Sequence, residues 1–532
     1  MRLVTLSQRP EWIDDTRAAV RERWAALLDV WQVETSLQSM DAMLNRWLLY
    51  QVLASRLWGK LGFYQASGGF GFRDQLQDVL ALLDAAPELA REYLLYASTR
   101  QFEEGDVLHW WHDDPLRGVR TRYSDDLLWL VYATSEYVAV TGDTAVLAEH
   151  TPFLSGEVLR DDEQERYAEF SESPRTASLY EHCWRAVDAR LNFGRHGLPL
   201  IGSGDWSDGL NRVGAEGRGE SVWMAWFLIT VCRQFAPLCR IMDDDARAAH
   251  YESVATELLA HTQKTAWSGD WYLRGYYDDG TPLGAPGDAE SEIDLIAQTW
   301  AVFTDPGEEQ SAAAMRSVKD KLVDSTHRLI KLLRPPFDEG AKDPGYIKAY
   351  PPGVRENGGQ YTHAAVWALW AAADSGDYEN AMKWFNWLNP LERLGSDADI
   401  GTYRIEPYVL PGDVYGVGPL AGRGGWSWYT GSAAWLYRFA LRRLLGFQRQ
   451  GTALYIRPCL APDWPDIQAT YRHRDAVYRI RVNSPGRLRE NQCFIAVNGR
   501  PADQEFIRLE STGEHSCQVF PDEDARREWL AA

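Results

Sequence analysis

The chain is poor in the features that mark several large classes of protein. Its six cysteines, Cys183, Cys232, Cys239, Cys459, Cys493 and Cys517, form no CxxC pair and no finger-like spacing. This argues against a disulfide scaffold and a structural zinc site, and reads as buried thiols in a reducing compartment. Basic residues are outnumbered, 55 Lys and Arg against 76 Asp and Glu for a formal net charge of -21, so a nucleic-acid backbone is not a fitting partner. The opening segment, MRLVTLSQRPEWIDD, lacks the apolar core of a signal peptide. The longest apolar run, Val222 to Cys232, stops at Arg233, short of the roughly 20 residues that cross a bilayer. A cytoplasmic protein without membrane insertion is the expectation.

What the chain has in quantity is apolar residues at helical spacing and tryptophan. From about Ile13 to Leu445 the apolar positions recur with helical period between short Gly, Pro and Asp-rich breaks, and strand-like alternation is scarce. Without a fixed sequence repeat, such a series of helical hairpins fits an α/α barrel better than a solenoid. After Gly446 the stretches TALYIRPCL, AVYRIRVNS and CFIAVNG are rich in β-branched and aromatic residues, which predicts a β-sandwich. The expected architecture is therefore mainly α: linker helices over 1–40, an (α/α)6 barrel over 41–445 and a small carboxy-terminal β-sandwich over 446–532. The 24 tryptophans fit two uses equally well, sugar-stacking faces in a cleft or core packing.

Four loops carry candidate chemistry. Gly202 to Gly209 places Asp205, Trp206 and Asp208 in a glycine-rich turn; a carboxyl beside an indole in a closed cleft suits a proton donor for glycoside cleavage. The plainer reading is that both aspartates cap turns. Gly68 to Asp78 brings Arg73, whose forked donors match phosphate oxygens, together with Asp74 and Gln77; an Arg73–Asp74 salt bridge is the alternative. Glu356 to His363 runs from a glycine-rich loop into a helix, and there His363 is a donor for an anion or a structural histidine. Arg423 to Ser432 offers Thr430 and Gly431 at the start of a helix, as anion donors or as a cap. The tract His109-Trp110-Trp111-His112 reads as cleft wall, since no third ligand follows at metal-site spacing.

These stretches, in this order, resemble the inverting sugar phosphorylases of glycoside hydrolase family 94, most of all its β-1,2-glucan branch. The resemblance rests on FYQASGGFGFRDQLQDVLAL, SDDLLWL, GSGDWSDGLNRVGAEGRGES, ENGGQYTHAAVWAL, EPYVLPGDVYG, GRGGWSWYTGSAAWLYR and RPCLAPDWP, and spans nearly the whole chain. It implies an (α/α)6 barrel with linker helices before it and a β-sandwich after it. It also implies a catalytic Asp208, sugar contacts from Asp74, Asp205, Trp206, Gln77 and Glu356, and a phosphate seat of Arg73, His363, Thr430 and Gly431. Arg73 and His363 are the candidates for local positive charge. The implied partners are a gluco-oligosaccharide and inorganic phosphate as co-substrate, with no metal and no organic cofactor; a homodimer is compatible with it.

Two departures stand out. Ser207 replaces the motif's usual Asn, and the family's large amino-terminal β-sandwich has no counterpart before the linker helices, which leaves a fragment or a naturally short version as readings. The competing functions are an inverting hydrolase, needing a base such as Glu356 or Glu220 about 6.5 to 9.5 Å from Asp208, and a non-catalytic glucan-binding subunit.

Overall fold

A computed structural model describes residues 10–62, 68–488 and 493–531. Residues 63–67 of the first resemblance stretch, the first nine residues and residues 489–492 lie outside the described residues.

The centre of the molecule is a sequence of buried helices. Phe72–Asp78, Leu128–Thr141, Val222–Ile241, Leu295–Thr304, Thr362–Asp374 and Ser432–Arg438 each touch the next, and the last touches the first. Leu128–Thr141, Val222–Ile241, Leu295–Thr304 and Thr362–Asp374 are apolar on nearly every side, as expected for buried helices, whereas Phe72–Asp78 carries polar side chains. Outer partners follow three of them directly, Asp245–Thr265, Glu309–Lys321 and Tyr378–Leu388, each packed against the helix before it. Side-chain caps fix several starts: Ser221, Asp244, Asp294 and Asp377 each accept a hydrogen bond from a backbone N–H in the first turn that follows.

The indoles settle the compositional question. Trp129, Trp223, Trp226, Trp300, Trp367, Trp384 and Trp435 are all nearly inaccessible. They pack on one another, Trp223 stacked on Trp367 and Trp300 edge-on to it with ring centres 5.2 Å apart. Half of the 24 tryptophans are buried; Trp206 and Trp426 are the ones that line the cleft described below.

The Val222–Ile241 helix continues through Arg233 and is, by length and composition, apolar enough to cross a bilayer. The helix runs on past the apolar stretch because arginine is a good helix former, and Arg233 donates to the Thr304 carbonyl, 2.7 Å away. Most of this helix is buried inside the protein.

Strands occur where helical texture was expected. Phe70–Gly71, Leu108–Asp113, Leu116–Thr121 and Glu165–Glu169 form one sheet, and His150–Ser155 pairs with Ser171–Ser178. Leu108–Asp113 escaped detection because its burial does not alternate strictly: Leu108 and Trp111 are buried while the residues between them are not. The expected run of linker helices is likewise interrupted. After the helix Pro10–Leu28, Trp31–Glu34 is a strand that pairs antiparallel with Ile467–His473 and joins a six-stranded sheet from the far end of the chain. That sheet also contains Asp475–Val482, Thr512–Phe520, Phe494–Val497 and Arg500–Pro501, and a second sheet contains Phe447–Gln450, Ala453–Ile456 and Phe506–Arg508. A helix, Glu523–Ala531, follows the last strand.

Trp31 is the anchor of this junction, stacked on Tyr471 with ring centres 4.1 Å apart and packed on Phe447. Replacing it with alanine is expected to cost about 3–5 kcal/mol, measured as a lower midpoint of urea denaturation. An unchanged midpoint would show that the strand is dispensable.

Candidate active site

The amino-terminal ends of the inner helices gather at one end of the molecule. Arg73 and Asp74 lie in the first turn of Phe72–Asp78, and His363 in that of Thr362–Asp374. Asp125 and Asp126 precede Leu128–Thr141, and Thr430 and Gly431 precede Ser432–Arg438. A polar cavity of about 200 Å³ opens between them, lined by Arg56, Arg73, Asp74, His109, Trp206, Asp208, Arg355, Glu356, His363, Thr430 and Gly431 among others. Helix amino termini carry partial positive charge, so this end of the fold favours anions before any side chain is counted.

Asp208 reaches the cavity from the glycine-rich turn, its side chain 29% exposed. The turn needs its glycines: Gly202 has φ +62 and Gly204 φ +141, and a Cβ on Gly202 would stand 2.0 Å from the Arg122 carbonyl oxygen. One Asp208 oxygen accepts a hydrogen bond from Arg73 Nη2, and the other lies 3.8 Å from His109 Nε2. Arg73 is fixed by further bonds, Nη1 to Asp125 at 3.0 and 3.2 Å and to the Asp205 carbonyl at 3.0 Å. Burial works against its charge, but Asp125, Asp208, Asp126 and Asp74 together hold it protonated far above the ordinary range.

Asp74 opens to the cleft with its side chain 47% exposed and Arg56 Nη2 at 3.4 Å. Burial alone would raise its pKa, yet Arg56 and Arg73 keep it below the usual carboxylate value. Arg56 is itself bonded through Nε to Asp78 at 2.7 Å and lies over the Tyr429 ring. Burial raises Glu356 above the ordinary range, against the opposing pull of Arg355. Trp206 sets its ring edge-on to Tyr361 and His363.

Three expectations need correction. Asp205 does not face the cavity: it is fully buried and forms two bonds to Arg274, at 2.6 and 2.7 Å, with Ser221 Oγ and the Ser207 N–H as further donors. Burial would raise its pKa, but Arg274 overrides that and lowers it. Its part is to brace the turn that presents Trp206 and Asp208. Gln77 is also turned inward, its amide donating to the Arg73 carbonyl and accepting from Trp435 Nε1 at 3.0 Å. His363 brings no positive charge, since burial pushes its pKa down to about 3 with only Asp74 opposing. It stands as a neutral ring against Gly431, and its Nε2 has no hydrogen-bond partner among the described residues.

Of the two candidate bases, Glu356 lines the cavity with Asp208 and Glu220 does not. Glu220 is buried, accepting from the His196 and Leu198 N–H groups and pairing with the His196 ring. Arg56, Arg355 and the role of His109 escaped the sequence reading. His109 was visible in the HWWH tract, but only the strand turns it inward, with Nδ1 2.8 Å from Asp126. Arg56 sits mid-helix in an apolar run with no motif around it. Among the described residues, no group of three or more His, Cys, Asp or Glu side chains could hold a metal ion.

The body is mainly helical, with its polar cleft at one end. In fold it is similar to the GH78 family rhamnosidase of Bacillus sp. GL1, with a TM-score of 0.55 at 13% identity, covering 85% of this chain and 42% of that one. The chain belongs to the glycosyl hydrolase 94 superfamily, whose catalytic-domain model matches residues 23–446. It is 46% identical to the cyclic beta-(1,2)-glucan synthase NdvB of Rhizobium meliloti over 90% of this chain and 17% of that protein. To the solabiose phosphorylase of Paenibacillus borealis it is 29% identical, over 95% of this chain and 62% of that protein. The chain thus spans less than two thirds of either relative.

Two measurements test the site's construction. Arg274→Met leaves Asp205 as a buried unpaired charge and is expected to destabilise by about 3–5 kcal/mol, read as a fall in denaturation midpoint; a midpoint at the wild-type value would contradict the bracing role. For His363 the folded value of about 3 lies below the ordinary 6.5, so the unfolded chain takes up a proton first. Its contribution is whole above about pH 6.5 and drains away as pH falls toward 3. His363→Asn is expected to flatten the loss of stability between pH 7 and 5, in urea titrations at both values. Parallel losses in both proteins would refute a buried neutral ring.

Proposed function

We propose that the chain is the catalytic part of an inverting phosphorylase acting on β-linked gluco-oligosaccharides, built as an (α/α)6 barrel with a carboxy-terminal β-sandwich. The observation that carries this reading is the contact of Asp208 with Arg73 inside a cavity that also holds His363, Thr430 and Gly431. An acid and an anion seat share one small space.

In the proposed reaction Asp208 gives its proton to the glycosidic oxygen. Phosphate, already a nucleophile, attacks the anomeric carbon from the opposite face, so the β-glycosidic bond breaks as an α-phosphate ester forms. The products are α-glucose 1-phosphate and a shortened glucan. The proton that hydrogen phosphate loses on becoming an ester balances the one that Asp208 must regain. Arg73, Thr430 and the Gly431 backbone hold the anion, and His363 donates to it as a neutral ring. Arg73 passes from Asp208 to the incoming phosphate, which frees the acid for the leaving oxygen when both substrates are present. Asp74, Trp206 and Glu356 seat the sugar. Phosphate is a co-substrate, and no step in this scheme calls for a metal or organic cofactor. A β-1,2 linkage is the proposed specificity, supported by the likeness to a cyclic beta-(1,2)-glucan synthase.

Glu356 gives a second reading some footing, because a carboxyl raised by burial in the same cavity is what an inverting hydrolase would need as its base. Incubation with β-1,2-gluco-oligosaccharides separates the two. Formation of α-glucose 1-phosphate only when phosphate is present is the expected outcome, with Asp208→Asn slowing it by about 10²–10⁴-fold. Free glucose released without phosphate would replace the proposal by the hydrolase. Binding without turnover in either direction, unaltered in Asp208→Asn, would leave a glucan-binding subunit.

A further inference from the structure

The same inner helices that open on the cleft meet again at their carboxy-terminal ends, around a second polar cavity. It measures about 260 Å³ and is lined by Glu136, Gln234, Trp300, Trp370, Arg438 and Arg442, with Gln448 and Gln450 of the Phe447–Gln450 strand facing them. Phe303, Asp374, Arg443 and Gln448 also line an outer groove of about 620 Å³, which adjoins the cavity.

Charge is unbalanced here. Three guanidinium groups face two carboxylates: Arg438 Nη2 and Arg442 Nη1 both reach one Glu136 oxygen, at 2.8 and 3.2 Å, and Arg443 Nε reaches Asp374 at 3.0 Å. Burial pushes Asp374 up to about 6, against Arg443. Arg438 is 2% exposed and has the Tyr132 hydroxyl within reach, yet its Nε and Nη1 have no hydrogen-bond partner among the described residues, and neither has Trp300 Nε1. Leaving donors of a buried cation unmade is costly. Neutralising the helix ends does not account for them, because the bonds described for these guanidinium groups go to carboxylates rather than to terminal carbonyls.

We propose that this cavity is a second anion site, taking a phosphate group through Arg438 and Arg442. Forked guanidinium donors match tetrahedral oxyanions. Free phosphate and the phosphate of a hexose 1-phosphate share this chemistry.

The experiment is isothermal titration of the full chain with inorganic phosphate. Two classes of site per chain are expected. Arg438→Met, which keeps an unbranched apolar side chain but removes the guanidinium that lies over Trp435 and Trp370, abolishes one class, and Arg73→Met abolishes the other. Arg442→Gln, less buried and a guard against a misfolded Arg438 variant, weakens the first class about tenfold. Competition by α-glucose 1-phosphate for the Arg438-dependent class identifies a sugar phosphate as its ligand, whereas failure to compete identifies free phosphate; both support a site. A single class lost in Arg73→Met, or a second class indifferent to both Arg438→Met and Arg442→Gln, overturns the proposal and leaves a water-filled cavity.

Discussion

Asp205 and Arg274 meet where water does not reach, both side chains at most 1% exposed, and much of the cleft takes its position from that meeting. Two charges in such surroundings must match closely or the fold loses several kcal/mol. The match also links distant parts of the chain. Arg274 Nη1 lies 3.2 Å from the hydroxyl of Ser221, which caps the Val222–Ile241 helix, and its Nε lies 3.5 Å from Asp294, which caps Leu295–Thr304. A single guanidinium therefore ties a glycine-rich turn to the starts of two core helices. Trp206 and Asp208, beside Asp205 in that turn, inherit their placement from it.

Around this fixed point the cleft is built from opposed charges rather than from one sign. Arg56 answers Asp74 and Asp78, while Arg73 answers Asp125 and Asp208. A protein of formal net charge -21 thus presents cations that are already spoken for. An anion entering here has to compete with carboxylates, which favours a ligand of high charge and several acceptor oxygens over a weak monoanion. The helix starts and the Arg73–Asp125 pairing are in place beforehand, so what reorganises when it arrives is the Arg73–Asp208 contact.

Outer helices such as Tyr378–Leu388 were legible because one-sided burial imposes a period on the sequence, and inner ones such as Val222–Ile241 as apolar runs that open at a capping residue, Ser221. The glycine-rich loops were legible for a different reason, since backbone of positive φ selects glycine. Orientation was not. Asp205 and Asp208 are three residues apart in one turn and look alike as residue types, but one is locked to Arg274 and the other faces the cavity. Gln77 shares a short helix with Arg73 and Asp74 and turns away from both into the core. His363 reads as a cation until burial is known, because an imidazole loses its proton when desolvated. Arg56 carries no motif at all, as its partners Asp78 and Tyr429 are gathered by folding.

The pairing of Trp31–Glu34 with Ile467–His473 shapes how such a chain can be made and cut. The early strand leaves the ribosome long before its neighbour, and until then it is an unpaired edge with an uncovered indole, the kind of surface that chaperones shield. Non-local pairing of this sort also slows folding, since the intervening helical body must be enclosed before the contact is rewarded. Scission at Gly446 would not release a self-sufficient carboxy-terminal module. The excised piece would lack its outermost strand and expose Tyr471 and Phe447, so the two ends of this polypeptide stand or fall together.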